Sequence, residues 1–277
     1  MLKEYFIPDS ATVASGIKKR YGDTAFFLSG GTELNSRTDI QPEYLISLEK
    51  LAINGFCLSD GEVSIGANTT FQEILDGAKS YDSSRKTLDA LFVAAGNLAS
   101  INIRNIATIG GNIASNRSCS DVIPTLMAYH ARLKLVNLDG EKHEMSLSDY
   151  IKSPVSDLIT TVVFDIPADN FRIKSRRHSR SANDLAIINI AISCSIQDQK
   201  FYSPVIAVGG VAKHVVRLLE VEKKLDGMGV GDLDYKQLEK WVTEDIQPID
   251  DIRGTGDFKK YLCKVMVSDV LQELCQD

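Results

Sequence analysis

Three Gly-Gly pairs, at 30–31, 110–111 and 209–210, each stand directly behind a run of apolar, often β-branched residues. A chain patterned this way ends buried segments in backbone that bends sharply or lets another group come close, because glycine tolerates positive φ without steric cost. Where successive N–H groups curl inward at such a bend they form a concave nest that binds an anion without a basic side chain. The first two pairs allow that use, since no Lys or Arg occurs from Thr24 to Asn35 or from Asn105 to Asn116. On spacing alone a tight turn after a strand also accounts for each pair, the third most readily.

Helix and strand signals alternate around these pairs. Ser10 can cap a helix over Ala11 to Arg20 that Gly22 ends, and Ala25 to Leu28 reads as a buried strand. Further strands are expected at Tyr44 to Leu48 and Glu62 to Ile65, with Thr69-Thr70 capping a helix over Phe71 to Ala78. From Thr87 to Leu98 the positions Leu88, Leu91, Phe92, Ala95 and Leu98 repeat at helical spacing. Asp121 to Ala131 reads as a short helix with Pro124 in its first turn, and Leu133 to Asn137 as a strand. Near residue 170 the composition changes. Arg172 to Arg180 is dense in basic residues and reads as a solvated face or loop. Beyond it, Leu185 to Ser195 and Pro204 to Val211 read as strands, and Asp234 to Val242 and Phe258 to Leu274 as helices.

With 277 residues, 44% of them hydrophobic, the chain can bury a sizeable core in one large or two modest domains. A net charge of −6 gives no excess of basic groups for phosphate backbones, which argues against a binder of nucleic acid or of anionic membranes. Five cysteines (Cys57, Cys119, Cys194, Cys263 and Cys275) fit no iron–sulfur or zinc spacing and are expected as reduced thiols. No run of 18 apolar residues occurs, and a cytoplasmic protein is expected. Walker A, H-E-x-x-H and G-x-S-x-G patterns are missing. Gly227-Met228-Gly229-Val230-Gly231 reads as a loop, because the glycine spacing of a dinucleotide fingerprint is off by one and no strand precedes it. His130, His143, His178 and His214 show neither metal spacing nor an evident carboxylate partner, so no metal site is expected.

Phe27-Leu28-Ser29-Gly30-Gly31-Thr32-Glu33-Leu34 and Thr108-Ile109-Gly110-Gly111-Asn112 together resemble the FAD-binding medium subunit of the molybdenum hydroxylases, the xanthine dehydrogenase and carbon monoxide dehydrogenase group. Ile65-Gly66-Ala67-Asn68-Thr69-Thr70, Asp121-Val122-Ile123-Pro124 and Ala207-Val208-Gly209-Gly210-Val211-Ala212 are similar to further segments of that family, in the same order over nearly the whole chain.

The resemblance implies an α+β protein: a two-subdomain FAD-binding domain of the vanillyl-alcohol-oxidase/PCMH type over 1–170, divided at about 57/58, then a smaller α+β C-terminal domain over 171–277. It implies FAD as cofactor, with pyrophosphate on Phe27 to Leu34 and further contacts from Thr108 to Asn112. Leu98 falls where the family places an apolar, often aromatic, contact. Asp121 falls on an acidic position suited to accept from a cofactor hydroxyl or peptide N–H, and a helix cap is its other reading. A basic residue near the flavin maps to Arg176, with Arg177 one position away. The implied partners are a [2Fe–2S] small subunit and a molybdopterin large subunit, with NAD+ as electron acceptor. The implied role is electron transfer in an FAD-dependent oxidoreductase complex. Flavin chemistry also explains why no catalytic acid, base or nucleophile stands out. A stand-alone flavin oxidoreductase of the same fold and a flavin-free assembly subunit are the alternatives. A Cβ at Gly30 or Gly111 is expected to block phosphate while leaving the core folded.

Overall fold

The computed structural model describes residues 1–79 and 88–276. Thr87, the expected start of one helix, lies outside the described residues. Along the chain come β1 (Glu4–Phe6), α1 (Ala11–Tyr21), β2 (Ala25–Leu28), α2 (Thr32–Ser36), β3 (Tyr44–Ser47), β4 (Phe56–Ser59), β5 (Glu62–Gly66) and α3 (Phe71–Lys79). Next are α4 (Asp89–Asn97), α5 (Ile101–Arg104), α6 (Ile109–Ser115), α7 (Ile123–Ala128), β6 (Arg132–Val136), β7 (Lys142–Ser146), α8 (Leu147–Lys152) and β8 (Leu158–Asp165). The chain continues through β9 (Phe171–His178), β10 (Ile188–Gln197), β11 (Lys200–Gly209), β12 (Val216–Arg217), α9 (Leu219–Leu225), α10 (Tyr235–Asp245) and α11 (Gly256–Gln276).

Contacts gather these elements into two compact units, the first made of residues 1–79, 100–115 and 131–165. Its first sheet has the order β1-β3-β2, all parallel, with α1 as the crossover. Ser10 Oγ accepts from Val13 N at 3.4 Å and starts α1, and Gly22 at φ +57° ends it. Ala14 of this helix packs with Ala25, Ile46, Leu48 and Leu51. The second sheet is antiparallel, in the order β4-β5-β8-β6-β7. Alternation in β5 buries Val63 and Ile65, which stand opposite Phe164 and Val162 of β8. A capping box opens α3: Glu73 Oε2 accepts from Thr70 N at 2.7 Å, and Thr70 Oγ1 accepts from Glu73 N at 3.2 Å.

The second unit holds residues 88–99, 116–130 and 166–276. Its antiparallel sheet runs β12-β11-β10-β9. One face buries Ile190, Ile192, Ile206 and Val208 with Val267 and Leu271 of α11. Two earlier helices join this unit because β9 and β10 anchor them: Ser175 Oγ donates to Ala90 O of α4 at 3.1 Å, and Ser193 Oγ to Ala128 O of α7 at 2.7 Å.

The basic run is a correction to the expectation of a solvated face or loop, because Phe171 to His178 is a strand and all of it but His178 is half-buried. A run of charges suggests solvent since burying an unpaired charge is costly, but here alternate residues find partners on different elements. Arg172, Lys174 and Arg176 turn to α11, where they meet Leu274 O, Glu273, and Glu273 with Asp269. Ser175 and Arg177 turn to the ends of α4 instead. His143 is a second correction: its Nε2 lies 2.7 Å from Asp157 Oδ2, a carboxylate partner not apparent in the sequence.

Candidate functional site

In the first unit, β2 delivers the chain into a turn at Ser29–Gly31 and then into α2, with Phe27, Leu28, Thr32, Glu33 and Leu34 all half-buried. Gly31 sits at φ +69°, where a side chain is strained and where a Cβ would also stand 3.1 Å from Leu28 Cδ1. Among the described residues the backbone N–H groups of Gly30, Gly31 and Thr32 donate to no acceptor. Three successive free donors thus stand on a left-handed turn, an arrangement that suits an anion. Ser29 shapes it from behind: its hydroxyl donates to Asn68 Oδ1 at 2.8 Å, while Asn68 Nδ2 donates to Leu48 O at 2.7 Å.

The second glycine pair departs from the expected nest, because it lies inside the first turn of α6 and its donors are engaged. Ile109 N donates to Thr69 O at 3.1 Å, Gly110 N to Ala67 O at 2.9 Å and Asn112 N to Thr108 O at 2.9 Å. Gly111 N reaches Thr108 Oγ1 at 3.3 Å. The two motifs nevertheless touch. A Cβ on Gly30 would lie 1.8 Å from Ile106 O, and one on Gly110 would lie 2.7 Å from Ala67 Cβ. Gly30 and Gly110 are therefore glycine so that the chain can pack on itself. Gly111 is exposed, and among the described residues a Cβ there would meet Thr108 Oγ1 alone, at 3.0 Å. The segment Ala67–Thr69 ties both motifs together, a role that motif reading did not assign to it. Its sequence signal was the likeness of Ile65 to Thr70 to a further segment of the family.

In the second unit Leu98 ends α4 and is buried. Asp121 precedes α7, but the N-cap position belongs to Val122, so the cap reading does not hold. Its carboxylate is 11% exposed and lies 3.5 Å from Arg177 Nε, itself on an 8% exposed side chain. Burial raises the Asp121 carboxyl to about 6, against the lowering by the Arg177 charge and the Asn189 amide. Arg176 points away from this group, to Glu273 and Asp269 on α11, so Arg177 is the residue that joins Asp121. The third glycine pair is also a close-approach device. A Cβ on Gly209 would strike Asn189 Oδ1 at 1.9 Å and Ser118 O at 2.4 Å, and Gly210 N donates to Ser118 O at 2.8 Å. Both glycines thus let β11 and its end pack closely on the segment that leads to Asp121.

Residues 2–167 match the FAD binding domain of molybdopterin dehydrogenases, and residues 175–274 match the C-terminal domain of the CO dehydrogenase flavoprotein. The chain belongs to the FAD-binding subunits of the molybdenum hydroxylase family. It is 32% identical over its whole length to an uncharacterized protein of Escherichia coli, YgfM, covering 97% of that protein. It is 26% identical to the glyceraldehyde dehydrogenase medium chain of Sulfolobus acidocaldarius, over 89% of each chain. A xanthine dehydrogenase FAD-binding subunit of Escherichia coli is 24% identical over 90% of this chain and 88% of the other. In fold it matches a chain of carbon monoxide dehydrogenase from Hydrogenophaga pseudoflava, with a TM-score of 0.89 at 22% identity, covering 99% and 97% of the two chains. The cofactor of this subunit is FAD, and the free donors at Gly30 to Thr32 suit a phosphate group. No helix among the described residues is long and apolar enough to cross a membrane.

Proposed function

We propose that this chain is the electron-transfer subunit of a molybdenum hydroxylase complex. It takes electrons from [2Fe–2S] clusters on a small partner and passes them to NAD+ or another acceptor, while a large molybdopterin partner hydroxylates the substrate. When bound, FAD supplies the capacity to take up single electrons and release a hydride. The observation that carries this reading is the free, left-handed donor turn at Gly30–Thr32 in a chain of this family.

The residues of the chain bind and orient. Gly30, Gly31 and Thr32 donate to the pyrophosphate, with Phe27, Leu28, Ser29, Glu33 and Leu34 shaping that turn. Thr108 to Asn112 set a helix start beside it, where exposed Gly111 leaves room for the cofactor to approach. Leu98 offers an apolar contact and Asp121 an acceptor for a cofactor hydroxyl. Arg177 replaces Arg176 as the basic residue of the site, because Arg176 is held by carboxylates on α11. A partner-covered face agrees with the exposed Leu185, Ile249, Ile252 and Phe258 of the second unit.

Affinity purification of the tagged chain from its native source tests the assignment. Iron and molybdenum are expected to co-purify with hydroxylase activity, and the isolated FAD-loaded chain is expected to have none. Hydroxylation by the isolated chain would make it a stand-alone oxidoreductase.

A further inference from the structure

We propose that Arg177 is a positioning residue whose guanidinium fixes the Asp121 carboxylate, from its buried side, as an ionised acceptor for a hydroxyl group of FAD. This rests on the reading above that Asp121 contacts the cofactor. Arg177 gathers separate stretches of the second unit with a single side chain. Its Nη1 donates to Asn97 O, next to Leu98, and to Ala182 O at 3.1 Å; its Nη2 donates to Asp184 O. Nε is left over for Asp121.

At 3.5 Å the Nε to Oδ1 approach is an ion pair too long for a strong hydrogen bond, and both atoms are buried without a hydrogen-bond partner. A buried ion pair with incomplete hydrogen bonding is a poor stabiliser, so packing alone does not account for its presence. What the pair does accomplish is orientation. Oδ1 is held against Arg177, the Asn189 amide also acts on the carboxylate, and 11% of the side chain stays exposed.

Surrounding charge selects the donor. Arg117 and Cys119 lie on the same segment as Asp121, Arg253 faces Cys119 with Asp251 and Lys259 behind it, and Asp184 is paired with Arg180. With Arg177 already against the carboxylate, a second cation is disfavoured and a neutral O–H fits, such as those on the ribityl chain and ribose of FAD. Burial holds the Asp121 carboxyl near 6, so protonation is reachable in a binding experiment.

The test is FAD affinity of the full chain, read by flavin fluorescence from about pH 5 to about pH 8, for wild type and for D121N, R177Q and R177K. If ionised Asp121 strengthens binding about tenfold, wild type binds about fivefold more weakly at pH 5 than at pH 7.5. D121N is expected to bind about tenfold more weakly at pH 7.5 and to lose the pH dependence. R177Q is expected to move the midpoint to higher pH, and R177K to return it toward wild type because the charge is restored. Wild-type affinity in D121N would overturn the reading of Asp121 and the proposal with it. Weak binding in D121N alongside a wild-type midpoint in R177Q would overturn the role of Arg177 alone. Should R177Q fail to fold, R177K decides: a midpoint below that of wild type, or an affinity loss equal at every pH, contradicts the proposal.

Discussion

Substituting alanine for Gly30 and for Gly111 separates two reasons for a glycine. At Gly30 the new Cβ would sit 1.8 Å from the carbonyl oxygen of Ile106, a backbone atom that cannot rotate away. Relief requires moving the turn or the segment before α6, and overpacking of this kind costs about 1–3 kcal/mol or more. G30A is therefore expected to unfold at a clearly lower temperature, with any loss of flavin following from the displaced turn. At Gly111 the only close atom among the described residues is Thr108 Oγ1 at 3.0 Å, and the residue lies within α6, where alanine gains up to about 1 kcal/mol over glycine. The helix gain and the tight Thr108 contact offset each other, so apo G111A is expected within about 1 kcal/mol of wild type. Its FAD affinity is expected to fall at least about tenfold if that open space receives the cofactor. Thermal unfolding of the apo chain and an FAD titration on the same preparations give both quantities. G111A with wild-type affinity would refute the cofactor role of Gly111, and G30A with wild-type stability would refute the steric role of Gly30.

Three more outcomes follow from named contacts. N68A removes both bonds that hold Ser29 and Leu48, so it is expected to cost about 1–3 kcal/mol in a denaturant titration and to weaken FAD binding. R176A breaks a half-exposed ion pair with Glu273, for which a stability loss under about 1 kcal/mol and unchanged FAD affinity are expected. The folded Asp121 carboxyl lies near 6, above its ordinary 3.8, so the stability it contributes is present below about pH 4 and lost as pH rises through about 6. Apo wild type measured against D121N should therefore lose about 2 kcal/mol between pH 4 and pH 8, and a flat difference would place Asp121 in water.

The elements that carry local signals were legible in the sequence. Ser10 with Gly22 bounds α1, Thr70 of the expected Thr69-Thr70 cap opens α3, and the alternation in Glu62 to Ile65 survives as β5. The first glycine motif was legible for the same reason, since the strand, the left-handed turn and the helix start are contiguous. What failed depended on distant partners. Whether Gly110 N is free is decided by Ala67 O, and whether Gly30 can carry a Cβ is decided by Ile106, neither of which glycine spacing reports. Arg172 to Arg180 looked like loop because the neutralising groups, Glu273 and Asp121, lie far away in sequence. Arg176 and Arg177 are equivalent in composition, and only the alternation of a strand between two packed elements tells them apart.

The proposed route of electrons is tested most directly by mixing the purified, FAD-loaded chain with NADH under anaerobic conditions and following the visible absorbance of the flavin. Bleaching by NADH without any partner subunit is expected, because a site that passes a hydride to NAD+ must also accept one in reverse. A flavin that stays yellow with NADH, yet bleaches with dithionite, would contradict NAD+ as the acceptor and direct the electrons of the complex elsewhere.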